Sequence, residues 1–277
     1  MQKYKAVFTD LDGTLLNEDG KVTAETRSVI ARLRARGIPL FVATGRSVCA
    51  TELAIGDTGL ETPFVCYNGA VVYDPLSRLW LHHETIDDGV TRDLLDLCEK
   101  HALFYLVFHE DTKVTLPPRY DFQSAFYGRL ENIRQVERFE DIPYRSVTKL
   151  SIFTKGDGRD QAILSYLENG GSGHYVERFR MNTIPGFREF DFQATDVHGR
   201  AGGKGAGVRF VMARYSLNPE EVIAIGDHRN DVSMLREAGL PVAMSDAPPE
   251  LKACARQIID HEAGDGVARF LARTFDL

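Results

Sequence analysis

Residues 6–16 read AVFTDLDGTLL, in which an apolar run leads directly into two aspartates, Asp10 and Asp12. The apolar run predicts a buried β-strand, and Gly13 predicts a turn immediately after it. Two carboxylates at a strand tip repel each other unless a cation offsets their charge. The stretch therefore predicts a metal ion, and a reaction that uses a metal together with two carboxylates.

A second apolar run, near the end of the chain, also leads into acidic residues. Residues 222–231 read VIAIGDHRND, so that a predicted strand is followed by Asp227 and Asp231. Ligands bind beyond the carboxyl ends of the strands in an open α/β sheet, which would bring these aspartates to the same rim as Asp10 and Asp12. Magnesium prefers such oxygen ligands, although the motif alone would also suit an ordinary turn.

A third motif offers hydrogen-bond donors rather than carboxylates. Residues 40–46 read LFVATGR, a predicted strand that ends in the hydroxyl of Thr44, Gly45 and the guanidinium of Arg46. Thr44 and the backbone amides after it can donate hydrogen bonds to phosphate oxygens, and Gly45 permits their close approach. On its own the motif would also suit a plain strand-to-helix turn, with Arg46 paired to a core carboxylate.

A lysine lies in a glycine-rich stretch at a predicted helix start, where residues 202–205 read GGKG. Lys204 can place a point charge on a phosphate there, and the alternative is a solvated lysine in a flexible turn. Lys149 and Lys155 suit this role less well, because both lie in the middle block of the chain.

The order of the predicted elements indicates the fold class. Strand Tyr4–Thr9, helix Thr23–Arg36 and strand Ile38–Val42 form a β-α-β unit, which favours a parallel sheet. Strands and helices alternate in the same way after residue 203. The chain is therefore expected to form a doubly wound, mostly parallel α/β sheet of the Rossmann-like type.

The middle of the chain is predicted to be a separate α+β domain. It includes a strand at Arg188–Gln193 and a turn at Gly170–Gly173. At roughly 150 residues per domain, a chain of 277 residues favours two domains. The predicted organisation is a catalytic core of residues 1–83 and 196–277, interrupted by an inserted domain of residues 84–195.

Composition and charge narrow the classes of function. Hydrophobic residues make up 43% of the chain and charged residues 26%, as in ordinary globular proteins. The net charge of -7 argues against a nucleic-acid partner, yet it allows an anionic substrate because a metal and a few cations can reverse the sign locally. No apolar run approaches the ~18–20 residues of a membrane span, and the first strand starts too close to Met1 for a signal peptide. The four cysteines form neither a CxxC pair nor a zinc pattern, so we expect reduced thiols, a cytoplasmic location and no membrane partner.

Taken together, the motifs resemble those of the haloacid dehalogenase-like hydrolases, specifically the Cof-type phosphatases with a C2-type α+β cap. The resemblance rests on Asp10-Leu11-Asp12-Gly13-Thr14, Thr44-Gly45-Arg46, Lys204 and Gly226-Asp227-x-x-Asn230-Asp231. DxDGT followed by GDxxND is highly specific, whereas single motifs are not. Asn68-Gly69 and Asp265-Gly266-Val267 also look like signatures of the family. One departure is Ser245-Asp246-Ala247, where the family often has Gly-Asn-Ala.

The resemblance implies a Mg²⁺-dependent phosphatase that hydrolyses small phosphorylated metabolites, sugar phosphates first among them, through an aspartyl-phosphate. It implies that Asp10 is the nucleophile and Asp12 the general acid and base, with Lys204 as a third catalytic residue. The implied metal ligands are Asp10, the backbone carbonyl of Asp12 and Asp227, with Asp231 behind them orienting metal-bound water or Lys204. The implied phosphate-binding residues are the backbone amide of Leu11, Thr44, Gly45, Lys204 and Asn230.

Two alternative functions stay open. A phosphotransferase or phosphomutase on the same core would return the phosphoryl group to a sugar instead of water. A catalytically silent, phosphate-sensing regulatory protein would keep the fold without turnover. In a phosphatase or a phosphotransferase, the inserted domain is expected to close over the active site and to determine which leaving group is accepted. Its candidate contacts are His109, Lys113, Arg119, Arg180 and Arg188.

Overall fold

The computed structural model describes residues 3–156, 158–169, 173–184, 186–261 and 264–277. Most of the predicted turn at Gly170–Gly173 lies outside these residues. The chain divides into two compact units. The first, called the core unit below, comprises Met1–His83 and Gly203–Leu277, and the second, called the inserted unit, comprises Glu84–Gly202.

The strands within the described residues are β1 (Ala6–Thr9), β2 (Leu40–Val42), β3 (Phe64–Cys66), β4 (Val71–Asp74), β5 (Leu79–His83), β6 (Phe104–His109), β7 (Thr112–Thr115), β8 (Ile133–Gln135), β9 (Val147–Thr154), β10 (Val176–Arg180), β11 (Gln193–His198), β12 (Val222–Gly226), β13 (Leu240–Met244) and β14 (Gln257–Ile259). The α-helices are α1 (Ala24–Ala35), α2 (Val48–Ile55), α3 (Asp88–Lys100), α4 (Asp121–Tyr127), α5 (Gln161–Asn169), α6 (Lys204–Arg214), α7 (Val232–Leu235), α8 (Pro249–Lys252) and α9 (Gly266–Phe275).

The main sheet of the core unit has the strand order β14-β13-β12-β1-β2. All of its pairs are parallel, and on β1 Val7 is in register with Ile223 of β12 on one side and with Leu40 of β2 on the other. From β1 the chain builds outward to β2 in one direction and later from β12 to β14 in the other. The strand order therefore reverses beside β1, which confirms the predicted doubly wound sheet and marks the switch point where such sheets bind ligands.

Buried apolar contacts anchor β1 between β12 and β2. Phe8 is fully buried in an apolar cluster with Val208 and Val211 of α6 and Met234 of α7. Its ring stacks on Phe41 of β2 with the centroids 4.7 Å apart. Burial of one such side chain contributes roughly 1.5–3 kcal/mol. The residues directly after β1 therefore start from a rigid strand.

Helix α1 begins where the sequence predicts it. Thr23 is the N-cap, and its hydroxyl accepts a hydrogen bond of 3.0 Å from the backbone amide of Thr26. Such a cap contributes about 1 kcal/mol. Val29, Ile30 and Leu33 form the buried face of the helix, which confirms the predicted apolar stripe.

A small antiparallel sheet of order β3-β4-β5 completes the core unit. The predicted turn at Asn68-Gly69 joins its first two strands. Asn68 has a φ of 50°, and Gly69 has a φ of 94°. A Cβ on Gly69 would lie 2.3 Å from the carbonyl oxygen of Gly203, so only glycine allows this close approach to the start of α6.

The inserted unit is built on a six-stranded sheet of order β10-β11-β9-β6-β7-β8. Its pairs are antiparallel except for β7 with β8. An apolar cluster joins Leu94 and Leu95 of α3 and Ile163 of α5 to Leu150 and Ile152 of β9. The unit is therefore α+β and has its own core, in agreement with the predicted fold class.

The predicted strand at Arg188–Gln193 is wrong, because the strand β11 starts where the prediction ends. Aromatic packing, and not hydrogen bonding to a neighbouring strand, holds the residues before β11. Phe187, Phe190 and Phe192 all contact the ring of Phe126, with centroid distances of 5.2–6.3 Å. Aromatic residues are common in strands, which explains the error.

Strand β11 was not predicted from the sequence because it contains a charged residue, Asp196, whose charge is neutralised by the neighbouring strand. Asp196 is buried in the middle of it and accepts hydrogen bonds from Lys149 at 2.8 Å and Ser151 at 2.6 Å, both on β9. Because β11 runs on to His198 and pairs with β9, the inserted unit extends to Gly202. The boundary predicted from the sequence falls after Thr195.

Candidate active site

Three carboxylates meet beyond the carboxyl ends of β1 and β12. Asp10 directly follows β1, Asp227 directly follows β12, and Asp231 lies in the turn before α7. One carboxylate oxygen of each lies within 4.8 Å of the others. The two strand tips thus place these aspartates at one rim, where the sequence analysis expected them.

A buried lysine lies between two of these carboxylates. The side chain of Lys204 is 0% exposed, and its Nζ is 2.7 Å from Asp10 Oδ1 and 2.6 Å from Asp231 Oδ1. Burial alone would lower the pKa of Lys204, but Asp10 and Asp231 raise it above its usual range. The lysine is therefore a fixed positive charge inside the acidic cluster.

Lys204 is the first residue of α6, and the backbone just before the helix positions it. Gly203 precedes it with a φ of 108°, and the backbone amide of Gly203 donates to the carbonyl oxygen of Asn68 at 2.8 Å. The two other lysines considered from sequence belong to the inserted unit. Lys149 pairs with Asp196, and Lys155 lies over the ring of Phe122 with its Nζ 5.0 Å from the centroid.

Both oxygens of Asp231 are engaged within the protein. Oδ1 accepts from Lys204, and Oδ2 accepts from the backbone amides of Asp227 at 3.0 Å and His228 at 2.9 Å. A Cβ on Gly226 would lie 2.5 Å from Asp231 Cγ, so this loop closes around the carboxylate only with glycine there. Asp231 therefore fixes the loop that carries Asp227.

Asp227 is held by the turn that follows β1. Thr14 donates its hydroxyl to Asp227 Oδ1 at 2.6 Å. Gly13 has a φ of 72°, and a Cβ on it would lie 2.3 Å from Asp227 Oδ2. The DxDGT turn thus shapes the site through Gly13 and Thr14 as well as through its aspartates.

The electrostatics of the cluster favour a bound cation. Burial, followed by the charge of Asp231, raises the pKa of Asp227 to about 7. The same two causes raise the pKa of Asp10 well above its usual value. A divalent cation among these oxygens would favour the ionised forms. The carboxylate oxygens form the hard donor set that Mg²⁺ prefers, so the residues present fit the expected ion.

The carboxylate of Asp12 belongs to a different arrangement. Its two oxygens accept hydrogen bonds from Arg46, from Nε at 2.8 Å and from Nη2 at 2.6 Å. Both side chains are about one-third exposed. Within the described residues, Asp12 is not part of the group of three clustered carboxylates. Pairing with a core carboxylate was one of the two roles expected for Arg46.

The phosphate-binding candidates surround the same rim. Thr44 is buried, and its backbone amide donates to the carbonyl oxygen of Val65 at 2.8 Å. Gly45 lies against Asn68, because a Cβ on it would be 3.1 Å from Asn68 Oδ1. The backbone amide of Leu11 donates to Asp10 Oδ1 at 2.7 Å, so in this structure it orients the aspartate.

Asn230 and Asn68 form a bridge that the sequence did not reveal. Asn230 Nδ2 donates to Asn68 Oδ1 at 3.0 Å. Asn230 Oδ1 is buried and has no hydrogen-bond partner among the described residues. Asn68 was predicted as a turn residue and as part of a family signature, without a contact to Asn230, and its backbone also bonds to Thr44 and Gly203. The sequence signal for this position was the Asn-Gly pair, because Asn and Gly both tolerate the left-handed backbone that Asn68 adopts at the end of β3.

The candidates for leaving-group contacts all lie in the inserted unit. Lys113 is buried and pairs with Glu131 at 3.2 Å, Arg119 pairs with Glu99 at 3.0 Å, and Arg180 pairs with Asp191 at 2.7 Å. His109 ends strand β6, and Arg188 lies in the segment before β11.

The doubly wound sheet, with a cluster of carboxylates at its switch point, is typical of phosphate-monoester hydrolases with an α/β core. The chain belongs to the haloacid dehalogenase-like hydrolase family, whose family model matches residues 7–271. The resemblance seen in the motifs is thereby confirmed.

Known proteins of this family are similar along nearly their whole length. Phosphatase YwpJ of Bacillus subtilis is 27% identical, covering 96% of this chain and 98% of its own. The 5-amino-6-(5-phospho-D-ribitylamino)uracil phosphatase YitU of the same organism is 28% identical, covering 98% and 97%. A haloacid dehalogenase-like hydrolase from Bacteroides thetaiotaomicron has a similar solved structure, with a TM-score of 0.80 at 27% identity over 98% of this chain and 99% of that one.

Across the described ranges, none of the helices combines the length and the apolar character that crossing a bilayer requires. The four cysteines are free thiols.

Proposed function

We propose that this protein is a Mg²⁺-dependent phosphatase that hydrolyses small phosphorylated metabolites, with sugar phosphates as the first candidates, through an aspartyl-phosphate. The observation that supports it most directly is the buried Lys204 between Asp10 and Asp231, with Asp227 beside them. One fixed cation among three carboxylates leaves the cluster acidic, which suits a divalent ion and then an anionic substrate.

Mg²⁺ would be held by the carboxylates of Asp10 and Asp227 and by the backbone carbonyl of Asp12. Asp231 stays behind these ligands, because both of its oxygens already accept hydrogen bonds. When bound, the ion would offset the repulsion between an anionic nucleophile and an anionic phosphate.

Asp10 is the proposed nucleophile. Leu11 and Lys204 both donate to Oδ1, at 2.7 Å each, which fixes the orientation of the carboxylate and supports Oδ2 as the proposed attacking oxygen. A bond forms between Oδ2 and phosphorus while the bond from phosphorus to the leaving oxygen breaks. This divides one slow hydrolysis into two faster displacements.

Asp12 is the proposed proton carrier. It gives a proton to the leaving oxygen in the first displacement, and takes one from the water that attacks the phospho-aspartate in the second. Inorganic phosphate leaves and Asp10 is regenerated. Because Arg46 holds both oxygens of Asp12, one of the two hydrogen bonds must open to free an oxygen for the leaving group, while the other keeps the carboxyl in place.

The phosphate itself would be bound by donors around the rim. The proposed set is Thr44, the backbone at Gly45, Lys204, Asn230 and the backbone amide of Leu11. Each well-placed donor contributes ~3–4 kcal/mol to transition-state stabilisation, so several must act together. We assign the choice of leaving group to the inserted unit. A phosphorylated sugar alcohol is part of the substrate named for YitU, which supports sugar phosphates as the first class to test.

The test is hydrolysis of 4-nitrophenyl phosphate with Mg²⁺ by the Asp10→Asn variant. We expect the variant to lose turnover, while Asp19→Asn, an exposed aspartate in the same segment, keeps it. Release of inorganic phosphate in step with nitrophenol identifies water as the acceptor. Full turnover by Asp10→Asn would remove the nucleophile from the proposal.

A further inference from the structure

The inserted unit contains a cavity of about 270 Å³, whose lining includes Arg119 among the candidate leaving-group contacts but is otherwise made of residues without a proposed role. Every residue that lines it lies between Glu99 and Phe192. It is bounded by the start of β6, the ends of β7 and β9, and the start of α4. The volume is near the lower limit of small-molecule sites, which are typically ≈ 300–1,000 Å³. It suits a molecule of one or two rings.

Aromatic side chains form much of its wall. Phe104 stacks on Phe153 with the centroids 4.7 Å apart, and Phe122 stacks on Tyr120 at 5.6 Å. Phe192 is 5.1 Å from Phe122. Such walls favour a flat ring, since offset and edge-on ring pairs add about 0.5–1.5 kcal/mol beyond area burial. The walls therefore select for an aromatic ligand over an aliphatic one.

Positive charge predominates at the same cavity. Arg119, Lys155 and Arg159 line it, while Glu99 is the one carboxylate among the described residues that do so. Glu99 is already engaged, because it accepts from Arg119 at 3.0 Å and from the hydroxyl of Tyr105 at 3.1 Å. The side chains of Lys155 and Arg159 add two cations to the lining, and cations complement an anionic group on a ligand.

A buried hydroxyl in the wall lacks a partner. Thr154 lines the cavity and is 3% exposed, and its Oγ1 has no hydrogen-bond partner among the residues described. An unsatisfied buried polar group costs ≈ 1–3 kcal/mol. A ligand atom that bonds to this hydroxyl would remove that cost.

We propose that this cavity binds a small aromatic anion, whose ring lies against Phe122 and its neighbours, whose acidic group faces Lys155 and Arg159, and which bonds to the hydroxyl of Thr154. The inference does not depend on the proposed phosphatase mechanism, because it concerns binding within the inserted unit alone.

The test is isothermal titration calorimetry of the full chain with Mg²⁺ present, using three probes. 2-Naphthoate carries both the ring and the charge, 2-naphthamide keeps the ring without the charge, and cyclohexanecarboxylate keeps the charge without the aromatic ring. We expect saturable binding of 2-naphthoate, at least about 5-fold tighter than either of the other probes. Absence of saturable binding, or equal binding of 2-naphthamide, would overturn the proposal.

Variants then locate the site. We expect Thr154→Val to weaken 2-naphthoate about 3–10-fold, and Lys155→Gln to weaken it about 2–5-fold because this lysine is exposed. Lys21→Gln, an exposed lysine of the core unit, is the matched control and should have no effect. If both cavity variants bind as the unaltered chain does, the ligand lies elsewhere and the proposal fails. Thermal unfolding of each variant identifies a loss of folding, and the probe series on the unaltered chain decides the matter without variants.

Discussion

Lys204 shows how a single residue stabilises the folded chain and the proposed site at once. It is fully buried, and it touches the carboxylates of Asp10 and Asp231. Removing one partner of a buried ion pair leaves an uncompensated charge, which typically costs 3–5 kcal/mol. The lysine is thus required even before any substrate arrives.

We expect Lys204→Met to lower the free energy of unfolding by about 3–5 kcal/mol and to abolish phosphatase activity. Added Mg²⁺ should restore part of the stability, because a cation among the same carboxylates offsets their repulsion. Urea denaturation with and without Mg²⁺ measures both effects. A variant as stable as the unaltered chain in the absence of Mg²⁺ would show that the carboxylates do not need the lysine.

Gly13 offers a test of the proposed metal ligands in which no carboxylate is removed from the sequence. A Cβ at this position would lie 2.3 Å from Asp227 Oδ2, so Gly13→Ala must displace the aspartate. We expect the apparent affinity for Mg²⁺ to fall at least about 10-fold, consistent with the effect of disturbing groups that orient a metal ligand.

The control is Gly20→Ala. Gly20 has nearly the same positive φ, 71°, but a Cβ there meets nothing within 4 Å. It therefore reports backbone strain alone. Mg²⁺ titrations of activity for both variants make the comparison, and an equal loss of affinity in the two would attribute the effect to strain.

Arg46 is expected to orient Asp12 for proton transfer. It holds both oxygens of Asp12 in a bidentate pair. We expect Arg46→Ala to lower kcat about 10–100-fold with little change in KM, because an unanchored Asp12 is misplaced for proton transfer. Arg34→Ala removes an exposed arginine paired with Glu61 and serves as the control. An unchanged kcat in Arg46→Ala would mean that the pair only occupies Asp12 in the resting protein.

At the scale of elements, the strands that lead directly into a candidate site residue could be predicted from the sequence. β1 and β12 are continuous apolar runs followed by a glycine turn, so that both their position and the aspartates at their tips could be predicted. β11 could not, because its buried Asp196 is neutralised by Lys149 across the sheet, and no local pattern reveals a partner 47 residues away. β7 and β8 were not predicted because neither Thr112–Thr115 nor Ile133–Gln135 is a continuous apolar run.

His198 on β11 makes the inserted unit sensitive to acid. It is fully buried, and neither ring nitrogen has a hydrogen-bond partner among the described residues. Burial, followed by the charge of Lys149, lowers the pKa of His198 from 6.5 to about 3. The folded chain therefore keeps the ring neutral while the unfolded chain takes up a proton below pH 6.5, so the stability contribution is present above that pH and is lost as the pH falls toward 3.

We expect this group to remove about 2 kcal/mol of unfolding free energy between pH 7 and pH 5. The measurement is urea denaturation of the unaltered chain and of His198→Phe at both values of pH. The variant should lose correspondingly less stability on acidification. Parallel losses in the two proteins would show that His198 does not titrate on unfolding.

At the scale of the whole molecule, the residues of the proposed chemistry all lie in the core unit, although the chain that builds this unit is interrupted by 84–202. Asp10 and Asp227 are far apart in sequence and adjacent in space because β1 pairs with β12. That adjacency could be predicted from sequence, since carboxyl ends of parallel strands share one edge. The Arg46–Asp12 pair and the Asn68–Asn230 bridge could not, because they depend on how loops fold over that edge.

The phospho-enzyme is the most direct test of the account as a whole. Asp12→Asn should still let Asp10 attack but should slow the attack of water, so that the intermediate accumulates. After brief reaction with an aryl phosphate and Mg²⁺, acid quenching and peptide mass spectrometry should find one phosphoryl group on the peptide that contains residue 10. Asp12→Asn with Asp10→Asn added is the control and should show none. A phosphoryl group on another residue, or normal turnover of Asp12→Asn without any phosphorylated peptide, would contradict the account.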